Sequence, residues 1–327
     1  MSRSSAGSNL GLQAHYNRFM RPYFRWQLRS RTLELGRRTL IMGVLNITPD
    51  SFSDGGEFLQ PEQALQHALR MLEEGADILD LGGESTRPGA PVAGDEPPAK
   101  SDSKLRAAVT EEEELRRVMP VLQGILRARP GTVISVDTYK SAVARAGVHA
   151  GAEIVNDVSG FQWDPEMART CSELQCGVVL MHTRGQPEEW RALPREAAIT
   201  AVVEHDLANQ LLIALQSGVQ RSRIVLDPGF GFGKNFEENY PLLAHLDQLH
   251  RFGFPVMAGT SRKSFVGRTV GKRAGKDAPP SERLYGSLAA MVASILGGAH
   301  IVRVHDVKPA VEAAAVADEV LAAGGES

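Results

Sequence analysis

Eight places along this chain put ionisable or amide side chains at the end of a short apolar run. They are Asn46, Glu84 with Arg87, Asp137, Asn156 with Asp157, His182, Asp227, Ser261 with Lys263, and Arg303 with His305. One such residue alone suits a helix N-cap. Brought to one face, they would form a ligand site rich in both hydrogen-bond acceptors and cations. Arg303 and His305 lie two apart, so on a strand their side chains share a face. A helix beginning near 306–309 can add its N-terminal dipole to any anion held there. Residues 82–91 read GGESTRPGAP, a Gly/Pro-punctuated loop that can close over an anion with Thr86 and Arg87. Residues 50–56, DSFSDGG, form a second polar loop with one aromatic, Phe52. Residues 227–234 read DPGFGFGK, but Pro228 and Asn235 break the Walker pattern, so this is no nucleotide P-loop.

The runs that carry these residues are 40–46, 77–82, 132–137, 153–157, 177–182, 223–227, 254–260 and 300–305. Each is short and rich in Val, Ile and Leu, as strands of a parallel sheet buried on both faces are. Between them lie amphipathic stretches at 61–74, 111–127, 141–150, 195–216, 236–249, 284–297 and 309–322. Pro61 and Pro309 stand where a helix can begin. Eight βα units predict a (β/α)8 barrel, with its chemistry where strands run out into loops. The expected organisation is a basic N-terminal extension, 1–38, partly disordered before about Tyr23, and a barrel over 39–327. A surface insertion of roughly fifteen residues is expected at about 93–108. The acidic run 111–114 suits a helix N-terminus.

Length and composition bound the rest. The 327 residues carry 36 basic and 39 acidic side chains, a net charge of −3 that gives no overall case for nucleic acid. No apolar run approaches the ~20 residues of a membrane span. Cys171 and Cys176 alone cannot build a disulfide framework or a cysteine zinc site, which fits a reducing compartment. Residues 1–38 hold eight arginines against Glu34. This reads as a basic, partly ordered tail, with an organellar transit peptide as the other reading. Tyr23, Phe24, Trp26, Leu28, Leu33 and Leu35 predict that its second half packs on the body, and Met20 is an alternative start.

The chain resembles the dihydropteroate synthases. The resemblance rests on MGVLNITPDSFSDGG (42–56), DLGGESTRPGA (80–90), SVDTYK (135–140), EIVNDVSG (153–160), LDPGFGFGKN (226–235), GTSRKSF (259–265) and RVHDV (303–307). It runs in order from about residue 39 to 320. It implies a (β/α)8 transferase of folate biosynthesis, a sulfonamide target that is Mg2+-dependent and usually a homodimer. The reaction joins (7,8-dihydropterin-6-yl)methyl diphosphate to 4-aminobenzoate, giving 7,8-dihydropteroate and diphosphate.

By motif position the resemblance implies a pterin floor of Asp137, Asn156, Asp227 and Lys263. Asn46, Thr86, Arg303 and His305 would hold diphosphate, with Asn46 also the metal contact. Phe52, Asp54, Thr86, Arg87, Pro88, Phe232 and Ser264 would form the 4-aminobenzoate slot and its lid. The catalytic set is Asp137, Lys263, Arg303 and His305, acting in an SN1-like displacement with no protein nucleophile. The departures are the N-terminal extension and the insertion. With no pterin-kinase segment in the sequence, a stand-alone cytoplasmic enzyme is expected. Two other readings stay open: a barrel moving methyl from methyltetrahydrofolate to a corrinoid protein, and a non-catalytic pterin-binding paralogue.

Overall fold

A computed structural model describes residues 21–48, 60–85 and 109–324. An antiparallel hairpin of β1 (Phe24–Gln27) and β2 (Thr32–Leu35) precedes eight parallel strands. These are β3 (Leu40–Asn46), β4 (Ile78–Gly82), β5 (Val133–Asp137), β6 (Ile154–Asp157), β7 (Gly177–Met181), β8 (Ile224–Asp227), β9 (Met257–Ala258) and β10 (Ile301–Val304). They pair in the order β8-β7-β6-β5-β4-β3-β10-β9, and a bridge from Leu226 to Val256 nearly closes the barrel. The closure between β8 and β9 is thin because Pro255 has no N–H to donate, and β9 keeps only two laddered residues of the run expected over 254–260.

The helices are α1 (Gln60–Glu73), α2 (Glu111–Ala128), α3 (Ser141–His149), α4 (Met167–Leu174), α5 (Ile199–Gln216), α6 (Asn239–Ala244), α7 (Ser264–Gly271), α8 (Leu284–Leu296) and α9 (Val307–Gly324). Two of these, α4 and α7, are eight-residue helices outside the expected amphipathic stretches. The single helix expected over 236–249 is broken into a 3-10 turn, the six residues of α6 and a further 3-10 run. Pro241 explains the break, since it fits only a first helical turn.

Alternation along the strands sorts the core into two parts. Outward side chains such as Ile41, Leu79, Ile134, Val155, Val178 and Val302 pack under the helices. Inward side chains at the strand starts, Leu40, Met42, Ile78, Val133, Ile154, Val179, Val225, Met257 and Ile301, fill the barrel's lower end. The hairpin closes that end, because Trp26, Leu28 and Leu35 are buried among these same residues. Trp26 Nε1 donates to the Arg223 carbonyl at 2.8 Å, and Ser30 N donates to Glu153 Oε2 at 2.8 Å. Arg21 is buried and donates to Thr39 Oγ1, the Ala299 carbonyl and Asp318 at 2.8–2.9 Å. Residues 21–38 therefore share the barrel's own hydrophobic core. The 1–20 segment, including Met20, lies outside the described residues.

Removing the indole would leave a large cavity at the barrel floor. Trp26→Ala is expected to cost about 3–5 kcal/mol in denaturant unfolding while sparing activity under permissive conditions. A loss below about 1 kcal/mol would show that the hairpin only rests on the barrel.

Candidate active site

The opposite end of the barrel holds charge where the lower end holds apolar side chains. The same inward alternation that buries Ile78, Val133, Ile154, Val225 and Ile301 leads, two or four residues on, to Asp80, Asp137, Asn156, Asp227 and Arg303. Arg303 on β10 ties the group together. Its Nε donates to Asp80 Oδ2 at 2.6 Å and its Nη2 to Asp137 Oδ2 at 2.5 Å. Asn156 Nδ2 donates to the same Asp80 oxygen at 3.0 Å. That bond fixes the carboxamide so that Asn156 Oδ1, buried, has no protein partner. Asp227 ends β8, and its Oδ1 accepts from Gly229 N at 2.7 Å. Lys263 lies beyond β9 with its ammonium 3.8 Å from the Phe232 ring, which meets Trp190 edge-on at 5.2 Å. A cleft is lined by Asn156, Asp227, Phe232, Gly259, Lys263 and Arg303, among others.

Burial shapes the charges. It pushes Asp137 up to about 7 and Asp227 up to about 6, although Arg303 and Lys263 pull both the other way. Lys263 is pushed down to about 7 by burial and by Arg303. Burial also opposes the charge of Arg303, but Asp80 and Asp137 more than offset it and raise its pKa. His305, held by Ser261 Oγ at 3.1 Å from its Nδ1, is pushed down to about 3 by burial and neighbouring cations. It is therefore a neutral imidazole at pH 7. The cleft offers acceptors at Asp227, Asn156 and Asp137 beside donors at Lys263 and Arg303. A planar, N–H-rich heterocycle is its chemical complement.

The chain matches the family model "Pterin binding enzyme" over residues 42–305. It is 41% identical to the dihydropteroate synthase of Bacillus subtilis over 293 residues, which is 90% of this chain and 92% of that protein. The solved dihydropteroate synthase of Xanthomonas albilineans with 4-aminobenzoic acid is similar at TM-score 0.79 and 40% identity, covering 92% of this chain and 99% of that one. The Yersinia pestis dihydropteroate synthase with a sulfonamide drug also gives 0.79 and 40%, covering 92% and 100%. The chain belongs to the dihydropteroate synthases of the pterin-binding enzyme family.

In this dihydropteroate synthase fold the expected site residues separate into three groups. Asn156, Asp227, Phe232, Lys263 and Arg303 line the cleft, and Asp137, outside the lining, joins them through its contact with Arg303. Asn46, His305 and Ser264 stand outside its lining. Asn46 ends β3 beside Gly82, His305 follows β10 against Ser261, and Ser264 is exposed in the first turn of α7. Phe52, Asp54, Thr86, Arg87 and Pro88 lie outside the described residues, as does 93–108.

Two strand-end residues do other work. Asp157 faces outward and caps its own turn, accepting from Ser159 N and Phe161 N at 2.8 Å. His182 is wholly buried between Asp206 and Lys234.

The sequence reading passed over three residues. Asp80 sits mid-strand at zero exposure, and its signal was a carboxylate on the inward alternation of ILDLG. Lys140 is buried with Nζ 2.5 Å from Glu84 and 2.6 Å from Glu114. Glu114, assigned only to the helix dipole, is thus a buried ion-pair partner, and burial raises its pKa. Among the described residues no group of three or more His, Cys, Asp or Glu could hold a metal ion.

The raised carboxylate at 227 links site to stability. Its folded pKa, about 6, exceeds the unfolded value of roughly 3.9, so its contribution is present below pH ~4 and is lost as pH rises through 6. Asp227→Asn keeps an acceptor for Gly229 and removes the charge. It is expected to be more stable than the parent by about 2–3 kcal/mol at pH 8, the advantage shrinking toward pH 4. Calorimetry across that range checks it, and a pH-independent difference would assign the gain to another group.

Proposed function

We propose that the cleft binds (7,8-dihydropterin-6-yl)methyl diphosphate and joins it to 4-aminobenzoate, releasing 7,8-dihydropteroate and diphosphate. The observation that carries this reading is the buried, partnerless Asn156 Oδ1 between two carboxylates of raised pKa, a floor short of N–H donors. In this reading Asp227 accepts from the pterin 2-amino and ring N–H groups, and Asn156 and Asp137 take the next polar positions. Lys263 donates to the oxo and N5 side.

The reaction breaks the bond between the exocyclic methylene and the diphosphate oxygen, and the electron pair leaves with diphosphate. The methylene cation that remains is delocalised into the pterin. Asp137, one inward position beyond Ser135, the cross-strand partner of Asp80, stabilises it. The arylamine nitrogen of 4-aminobenzoate then attacks and gives up a proton. Neither cysteine is used, and both are buried.

Arg303 spends two nitrogens on Asp80 and Asp137, so Nη1 is what it can turn toward diphosphate. His305, as a neutral imidazole, supplies a hydrogen bond rather than charge, and Thr86 completes the set. Phe232, Ser264 and the loops holding Phe52, Asp54, Arg87 and Pro88 would enclose the aryl ring. The donor set fits Mg2+: Asn46 offers one neutral oxygen, and this ion keeps water and substrate phosphate for most of its sphere. When bound, Mg2+ would neutralise the departing diphosphate.

A homodimer is supported by exposed apolar side chains on neighbouring helices, Tyr285 of α8 with Val316 and Val320 of α9. The two reduced thiols support a cytoplasmic setting. No helix among the described residues is long and apolar enough to cross a membrane.

The test mixes pure protein, the dihydropterin diphosphate and Mg2+, with and without 4-aminobenzoate. Diphosphate release that requires 4-aminobenzoate, with equimolar dihydropteroate, is the expected result. Pterin binding without release would instead favour the non-catalytic paralogue. Arg303→Ala is expected to lower turnover by about 10²-fold or more, because it also strands two buried carboxylates. An effect on diphosphate binding alone would show that its pairing with Asp80 and Asp137 is dispensable.

A further inference from the structure

Beside the cleft, three side chains that the reaction does not use form one connected line. His182, just after β7, is fully buried. Its Nε2 lies 3.1 Å from Asp206 Oδ2 of α5, and its Nδ1 lies 2.8 Å from Lys234 Nζ. Burial pushes Lys234 down to about 7 and His182 lower still, to about 4, so a proton shared between them belongs to Lys234. As an ammonium it donates and cannot accept, so Nδ1 is the bare acceptor, and Nε2 carries the proton given to Asp206. A neutral imidazole thus joins a half-exposed carboxylate to a buried ammonium.

Lys234 has further work. The same Nζ donates to the Gly229 carbonyl at 2.8 Å and the Phe232 carbonyl at 3.2 Å. Those oxygens converge because 229–233 is a tight loop, with Gly229, Gly231 and Gly233 all at positive φ. A Cβ at Gly229 or Gly233 would collide with the carbonyls of His182 and Arg184. Without Lys234 the Phe232 carbonyl would lose this donor, and the Gly229 carbonyl would keep only the bond from Phe232 N at 3.1 Å. Phe232, whose backbone is pinned here, turns its ring to the Lys263 ammonium in the cleft. The other charged groups facing Lys234 are Asp227, Lys263, Arg184 and Glu238.

We propose that Asp206, His182 and Lys234 form a positioning relay that sets Phe232 for the aryl ring of 4-aminobenzoate. The relay deepens the site reading above and rests on it. Asp206 holds the imidazole in the tautomer that accepts from Lys234, Lys234 folds the loop, and the loop presents the ring. Burial and the Lys234 charge push His182 down to about 4, in keeping with an imidazole that stays neutral.

Two measurements test it. Lys234→Met keeps the stem and removes the donor. It is expected to raise KM for 4-aminobenzoate by about tenfold or more, with KM for the dihydropterin diphosphate within about twofold. In a Phe232→Ala background the same change should add almost nothing, since the relay acts through that ring. Asp206→Asn, on a half-exposed position, gives the milder version if Lys234→Met fails to fold. Equal KM losses for both substrates, or full additivity with Phe232→Ala, would overturn the relay.

Nitrogen NMR of the His182 imidazole in the ligand-free protein supplies the independent readout. The Nε2–H tautomer down to about pH 5 is expected, with the Nδ1 signal moving in Lys234→Met. An Nδ1–H tautomer would refute the relay regardless of turnover. Wild-type protein that shows the Nε2–H tautomer but forms no dihydropteroate would instead refute the reading of the cleft.

Discussion

Arg303 between Asp80 and Asp137 is the interaction on which the upper half of the barrel depends. Parallel strands covered on both faces can carry charge inward only if it is paired, since an isolated buried carboxylate is strongly penalised. One guanidinium meets two carboxylates at 2.5 and 2.6 Å, and Asn156 braces the second oxygen of that network. The planar fork of arginine can serve two partners at once in fixed directions, and a lysine could not replace it. Three strands, β4, β5 and β10, are thereby held together at the mouth by electrostatics where apolar contact has run out.

The pairing is deliberately incomplete. Asp80 and Asp137 share the one guanidinium of Arg303, and Asp227 has Lys263, Arg303 and Lys234 near it without an ion pair to any of them. Burial, which these cations do not fully offset, is what raises Asp137 and Asp227. Asn156 Oδ1 adds an acceptor with no donor. Such a pocket discriminates by what it lacks: a ligand bringing several N–H groups relieves the shortage, and one without them leaves buried acceptors bare. Stability is supplied from the other end, where the Trp26 hairpin seals a wholly apolar layer. Chemistry at the C-terminal face and stability at the N-terminal face is the usual division in such barrels.

Neighbouring residues show how sharply alternation divides roles. Asn156 lines the cleft while Asp157 caps a turn, and Met181 lines it while His182 lies outside, against Asp206 and Lys234. All four are strand-end residues, and three are polar. The side that each takes follows from the pairing of β6 with β5 and β7, and of β7 with β8. Read as strand ends alone, Asp157 and His182 look as promising as Asn156. Asp80 suffers the reverse fate, hidden within a run that reads as apolar. Lys140 and Glu114 were illegible for a different reason, being 26 residues apart with no local pattern linking them.

The amino-acid sequence by itself determined the eight βα units, the strand runs to within a few residues, and the residue types waiting at their ends, because these follow from local periodicity and from long motifs. It also carried the family. The tertiary structure decided which of those ends meet. Arg303 reaches partners 223 and 166 residues away in the chain, and only the closing of β10 onto β3 brings them within hydrogen-bond distance. It decided the breaking of 236–249 at Pro241 and the addition of α4 and α7, amphipathic helices of only eight residues, too short for a periodic pattern to stand out in the sequence. It also made the arginine-rich start, from Arg21 onward, part of the barrel's floor, since a hydrophobic plug is defined by the hole that it fills.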